Sequence, residues 1–280
     1  MAGSKGSSTR RVATRLSWAI VAGMALQSLI GLVAPSVYRD AAWIKAAWYA
    51  NDIVTLLVGV PLLAGGLLAA RRGSARGELL WYAGLGYGAY NYAYYMYGAR
   101  IGYVFPLIVA LFVACAWALV LSVSTTDVPA LAARFGSRTP TRAVAVYAGL
   151  TGIGLSVAWL AQWGAYVFAG TVPSIGEAPF RLVAAMDLGW MVPPLLVGAV
   201  LLWRRRAWGY LLTAISVTQG AAYTAVLTVS SVVGGLRGIE GSMEQAPIWG
   251  VWTLLGAAAA VGLLLRIEGP NAEHPAGKRD

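Results

Sequence analysis

Apolar residues along this chain collect into eight long runs, at 16–34, 50–70, 79–99, 103–124, 143–169, 182–203, 207–233 and 247–266, separated by short polar or basic gaps. The hydrocarbon core of a bilayer is about 30 Å thick, and a helix needs roughly 20 mostly apolar residues to cross it. The runs meet that length. The pattern predicts an all-α fold, a polytopic membrane bundle of about eight transmembrane helices over 16–266. A basic tail at 1–15 precedes it and a polar tail at 267–280 follows. The fifth and seventh runs are long enough to require tilt or an extra turn beyond the bilayer. Between the first two, Ala41 to Ala50 is apolar but follows Arg39-Asp40. That segment suits the membrane interface, where Trp43, Trp48 and Tyr49 are at home. The first run follows basic residues, as a signal peptide would, but it is long for one and lacks a good cleavage site, so it is expected to remain as a span.

The gaps themselves carry a second pattern. Of the 21 Lys and Arg residues, 16 fall in alternate gaps, counting from the N-terminal tail, and five in the gaps between. Cytoplasmic loops retain the excess of positive charge. The alternation predicts a protein of the plasma (inner) membrane with both termini in the cytoplasm. The composition agrees, with 59% hydrophobic and 11% charged residues. The net charge of +10 invites a nucleic-acid partner. The basic residues sit at span ends, however, where they set topology and attract anionic head groups, so the bilayer is the expected partner and nucleic acid is not. Cys115 and His274 are the single cysteine and histidine. No disulfide, His/Cys metal site or bis-histidine haem can be built from that inventory, and no cofactor or metal is expected.

An internal repeat is one reading of the pattern. Pro61 to Arg72 (PLLAGGLLAARR) and Pro194 to Arg205 (PLLVGAVLLWRR) agree at seven of twelve positions at a shift of 133 residues, which also pairs Tyr90 with Tyr223. Both segments run toward the cytoplasm, so the halves would be 16–124 and 143–266 in parallel orientation, as in some transporters. The opposing reading is that Leu, Gly and a terminal Arg are common at any cytoplasm-bound helix end. The stretch from Asn51 to Gly98 (NDIVTLLVGVPLL…RR…YNYAYYMYG) resembles segments of uncharacterised bacterial multi-pass membrane proteins. That resemblance implies the class and carries no activity.

Ionisable groups within a span are costly and are candidates for a site. Two acidic residues qualify, Asp52 in the second run and Asp187 in the sixth. Counting 1.5 Å per residue back from Arg71 and Arg204 places both carboxylates near the outer edge of the core, about 28 and 26 Å from the arginines. At that depth either could instead cap a helix N-terminus. Arg100 and Arg181, at outer helix ends, could also neutralise them as ion pairs. The third run supplies Tyr87, Tyr90, Asn91 and Tyr94 at the same level, on faces spaced i, i+4, i+7. An aromatic belt explains the outermost tyrosines, but a phenol and an amide deeper in lipid want hydrogen-bond partners. Tyrosines around carboxylates also form cages for cations, worth about 0.5–2 kcal/mol each. Gly84, Gly86 and Gly88 read as helix packing, and Gln27, Thr55, Gln162 and Gln219 as interhelix hydrogen bonding.

The sharpest functional expectation is a small-molecule or cation transporter, or a ligand-binding membrane protein. Its outward pocket would be formed by Asp52, Asp187, Asn91, Tyr87, Tyr90 and Tyr94, and its ligand would be cationic or amphipathic. The rivals are an accessory or sensory subunit whose partner membrane protein carries the chemistry, and an intramembrane enzyme acting on lipid. No Ser–His or Cys–His pair and no Asp-rich diphosphate motif supports the enzyme, so no catalytic residue is expected.

Overall fold

The computed structural model describes residues 2–173 and 175–267, so most of the expected C-terminal tail, with His274, lies outside the described residues. Its helices are α1 (Ala2–Val33), α2 (Ala42–Arg71), α3 (Ala75–Gly98), α4 (Phe105–Ser124), the short α5 (Val128–Ala133), α6 (Thr141–Ala169), α7 (Glu177–Trp203), α8 (Ala207–Leu236) and α9 (Ala246–Leu264). Short turns join them, and among the described residues β pairing is limited to one bridge, Phe135 to Ile267. Seven helices are long and apolar enough to cross a membrane: α1 from Ser7, α2, α4, α6, α7, α8, and α9 with the turn before it. Their exposed faces carry large apolar side chains such as Leu150, Val157, Trp163 and Leu254, as lipid-facing surfaces do.

The long helix outside that set, α3, is the centre of the bundle. Every residue from Trp81 to Ala93 is buried, including four tyrosines and Asn91. A helix whose middle is enclosed by its neighbours need not be apolar there, provided its polar groups find partners on them. Packing explains the glycines of its sequence. Gly84, Gly86 and Gly88 lie against Leu63 of α2, Gln219 of α8 and Cys115 of α4, so α3 approaches three helices closely. Ser74 caps its N-terminus by accepting from Gly77 N at 3.2 Å.

Several boundaries differ from the hydropathy pattern. Residues 2–15 of the basic segment are helical and continuous with the first run as α1, and Arg10 pairs with Glu78 in the first turn of α3. From Ala42 on, the expected interfacial segment is the beginning of α2, and α7 likewise begins at Glu177. Lys45 and Arg181 break the apolar pattern but not the helix, because near a helix end a long cationic side chain can reach polar surroundings.

Two helices share an unusual build. α2 is interrupted by a π-helical turn at Thr55–Gly59 and α7 by one at Asp187–Met191. Each is followed within two residues by proline, Pro61 in one and Pro193-Pro194 in the other. Proline lacks an N–H and crowds the carbonyl four residues back, and a wider turn upstream relieves both problems. Each helix then runs to an arginine-bearing turn and a following helix, α3 or α8. These features recur at 132 residues: Thr55 and Asp187, Val60 and Val192, Ala75 and Ala207. The contacts recur too. Gly66 lies on the backbone of Trp81, and Gly198 on Thr213; Gly77 lies on Ala69–Ala70, and Gly209 on Leu201–Leu202. The sequence match at 133 is therefore one residue out of register with the packing, because the doubled proline of α7 fits either alignment.

Candidate functional site

Asp52 is 1% exposed and sits ten residues inside α2. It is not a cap. Its Oδ1 accepts from Gln27 Nε2 at 3.1 Å and from the Tyr95 hydroxyl at 2.9 Å, and its Oδ2 accepts from the Tyr38 hydroxyl at 2.8 Å. Gln27 Oε1 accepts in turn from Tyr92 at 3.1 Å. The donors come from α1, from the α1–α2 connection and from α3. Burial, with the Asp52 carboxylate behind it, pushes the Tyr38 hydroxyl above its ordinary pKa, so Tyr38 remains a donor. Gly31 makes the site possible. A Cβ there would overlap Asp52 Oδ2 and would lie 2.6 Å from the Tyr38 hydroxyl.

One turn deeper, Thr55 Oγ1 shares a 2.8 Å hydrogen bond with the Tyr87 hydroxyl and accepts from Asn91 Nδ2 at 3.2 Å. The predicted pair on α3 thus meets the start of the π-helical turn. Asn91 Oδ1 and Asn51 Oδ1 are buried acceptors without a hydrogen bond.

Asp187 forms a separate network. It is 8% exposed and lies ten residues inside α7, so it too is not a cap. Its Oδ1 accepts from the Tyr90 hydroxyl at 2.5 Å and its Oδ2 from Trp159 Nε1 at 2.8 Å. The Tyr90 ring meets Tyr223 edge-on at 4.6 Å. Asp52 and Asp187 share no hydrogen-bond partner, and α3 serves each from a different face. Neither is paired with an arginine; among the described residues the salt bridge present is Arg10–Glu78. Both carboxylates are held by neutral donors alone.

Tyr94 donates no hydrogen bond to these networks, though its ring meets Tyr223 edge-on at 6.4 Å. It packs edge-on against Trp48 at 5.1 Å and lines a cavity of about 850 Å³ between α2, α3 and α7, at the end of the bundle opposite Arg71–Arg72. Of the six residues expected to form a pocket, it is the one that borders this space. The walls are mainly apolar, with Trp43, Tyr97, Phe112 and Trp190 among their aromatic rings, and the charged groups are Asp40, Arg100 and Arg181. A smaller hollow of about 330 Å³ reaches Gly31 and Tyr38, beside Asp52, with Lys45 and Arg237 among its lining residues.

Gln27 had a sequence signal, an amide at i, i+4 from Gly31, but its partner Tyr38 lies in a connection with no periodicity. Trp159 and Asp40 were equally silent. Long apolar helices around a buried polar centre define this chain as a multi-pass membrane protein. No family model matches it, and neither the curated proteins nor the solved structures contain a detectable relative.

Proposed function

We propose that the protein is an eight-span carrier that binds a small amphipathic molecule in the 850 Å³ cavity, with Asp52 and Asp187 as its proton- or cation-exchanging groups. The cavity carries the reading: its volume falls in the range of about 300–1,000 Å³ typical of small-molecule sites, and its walls combine aromatic rings with a few charges. As the eighth span, α3 has 24 residues, about 36 Å of helix, which exceeds the hydrocarbon thickness. With the arginine-rich turns in the cytoplasm, the cavity opens outward at the plasma membrane. The recurrence at 132 residues supports two parallel four-helix halves, an arrangement used by transporters. Two carboxylates without arginine partners suit groups that take up positive charge, and the unsatisfied oxygens of Asn51, next to Asp52 in the chain, and Asn91, bonded to Thr55, add acceptors in the first network.

Gly189 borders the cavity, and a Cβ built there meets nothing within 4 Å. Gly189→Leu should therefore fill the site without disturbing the fold. In protein reconstituted in nanodiscs, tryptophan fluorescence should report saturable binding of amphipathic compounds, weakened about tenfold or more by Gly189→Leu at an unchanged melting temperature. Equal binding by wild type and variant would remove the cavity from the mechanism.

A further inference from the structure

We infer that the ligand is an amphipathic anion whose head group lies between Arg100 and Arg181 and whose apolar part rests on the Phe112–Trp190 wall. This rests on the carrier reading and names its ligand class. The expected cationic ligand required Asp52 and Asp187 to face the pocket, and neither borders the cavity. The acid that does, Asp40, is already committed: it accepts from Trp48 Nε1 at 3.0 Å and from the main-chain N–H of Arg100 at 3.0 Å, and it is 6% exposed. Arg100 and Arg181, by contrast, have side chains with no hydrogen-bond or ion-pair partner among the described residues, and both are exposed at the cavity.

The Asp40–Arg100 contact uses the backbone, so it anchors the residue while leaving the guanidinium free. Two guanidiniums against one carboxylate leave the lining net positive, which disfavours a cation and offers N–H donors to a carboxylate or phosphate. Beyond them the wall is continuous and aromatic. Tyr97 meets Phe112 at 6.5 Å between ring centroids, and Phe112 meets Trp190 at 6.4 Å. A charged head followed by an apolar tail fits this order of groups.

The same chemistry is offered by a free long-chain carboxylate and by the head group of an anionic lipid. The experiment separates them by titrating dodecanoate, and in parallel dodecyltrimethylammonium, into the full-length protein in phosphatidylcholine nanodiscs and in discs containing phosphatidylglycerol. Wild type, Arg100→Gln/Arg181→Gln, Arg100→Lys/Arg181→Lys and Gly189→Leu would be compared by tryptophan fluorescence, with thermal melts to confirm folding. Dodecanoate should bind wild type, weaken about tenfold or more in the Gln pair and recover in part with the Lys pair. Loss of that binding in phosphatidylglycerol discs would assign the site to the lipid head group; retention would assign it to the free carboxylate. Both results uphold an anion site. Dodecyltrimethylammonium binding that Gly189→Leu abolishes, with dodecanoate inert, would overturn the anion and leave the carrier reading intact. No binding of either probe that depends on Gly189 would remove both.

Discussion

Gly66→Ala is expected to destabilise the protein by about 3 kcal/mol, at the upper end of overpacking costs, whereas Gly65→Ala, one residue away, should be neutral or stabilising by up to about 1 kcal/mol. A Cβ at Gly66 would overlap Trp81 N and lie 2.7 Å from Leu80 C and 2.9 Å from Trp81 Cα. These are backbone atoms of α3, which cannot rotate away as a side-chain tip can. Relief requires α2 and α3 to separate along their whole contact, opening space around the buried Leu63, Leu67 and Trp81. At Gly65 a Cβ meets nothing within 4 Å, so alanine there only removes the helix penalty of glycine. Denaturation of the two variants in one detergent measures the difference directly. Equal stabilities would mean that the two helices do not touch as described. The equivalent position in α7, Gly198, faces Thr213 Oγ1 at 2.8 Å and its N at 3.2 Å, so Gly198→Ala should cost less, because a hydroxyl can turn aside.

That neighbouring pair also marks where sequence reading ends. The two glycines look alike in the chain, and the alignment at 133 matched Gly65, the one that packs on nothing, to Gly198. Hydropathy was sufficient for the multi-span all-α class because a lipid-facing surface must be apolar over a fixed length. It was also sufficient to single out Asp52 and Asp187, since a carboxylate among apolar neighbours is conspicuous at any register. It could not predict that α2 and α7 begin several residues early, because Lys45, Glu177 and Arg181 interrupt the apolar pattern without ending the helix. Nor could it give the partners of the acids. Tyr38 and Asp40 act from a connection whose shape follows from tertiary contacts. Trp159 reaches Asp187 from α6, a helix on which hydropathy marks no inward face.

The largest effect within the polar centre is expected from Asp52→Leu. The carboxylate accepts from Gln27, Tyr38 and Tyr95; an apolar replacement orphans the Tyr38 O–H and leaves Gln27 only the Tyr38 oxygen at 2.8 Å and Tyr95 only the Trp48 carbonyl at 3.1 Å. An unsatisfied buried donor costs about 1–3 kcal/mol in soluble proteins, while hydrogen bonds between membrane helices average about 0.6 kcal/mol. With one donor orphaned and two others each reduced to a single acceptor, a total of about 2–3 kcal/mol is expected. Asp52→Asn keeps an acceptor and the volume, and should lose about 1 kcal/mol. Removal of a donor provides the decisive comparison. In wild type, Tyr38→Phe deletes a 2.8 Å bond donated to Asp52 and a 2.8 Å bond accepted from Gln27, and should destabilise. In the Asp52→Leu background the same change removes an O–H that has lost its acceptor and only the bond from Gln27 remains to be lost, so it should cost markedly less than in wild type. If Tyr38→Phe is as harmful in that background as beside the native carboxylate, the tyrosine is held by ring packing on Trp48 and Tyr95, and the polar network contributes little. The expected attenuation would instead show the protein organising three segments around one buried carboxylate, a position that an apolar residue would fill more cheaply in a protein built for stability alone.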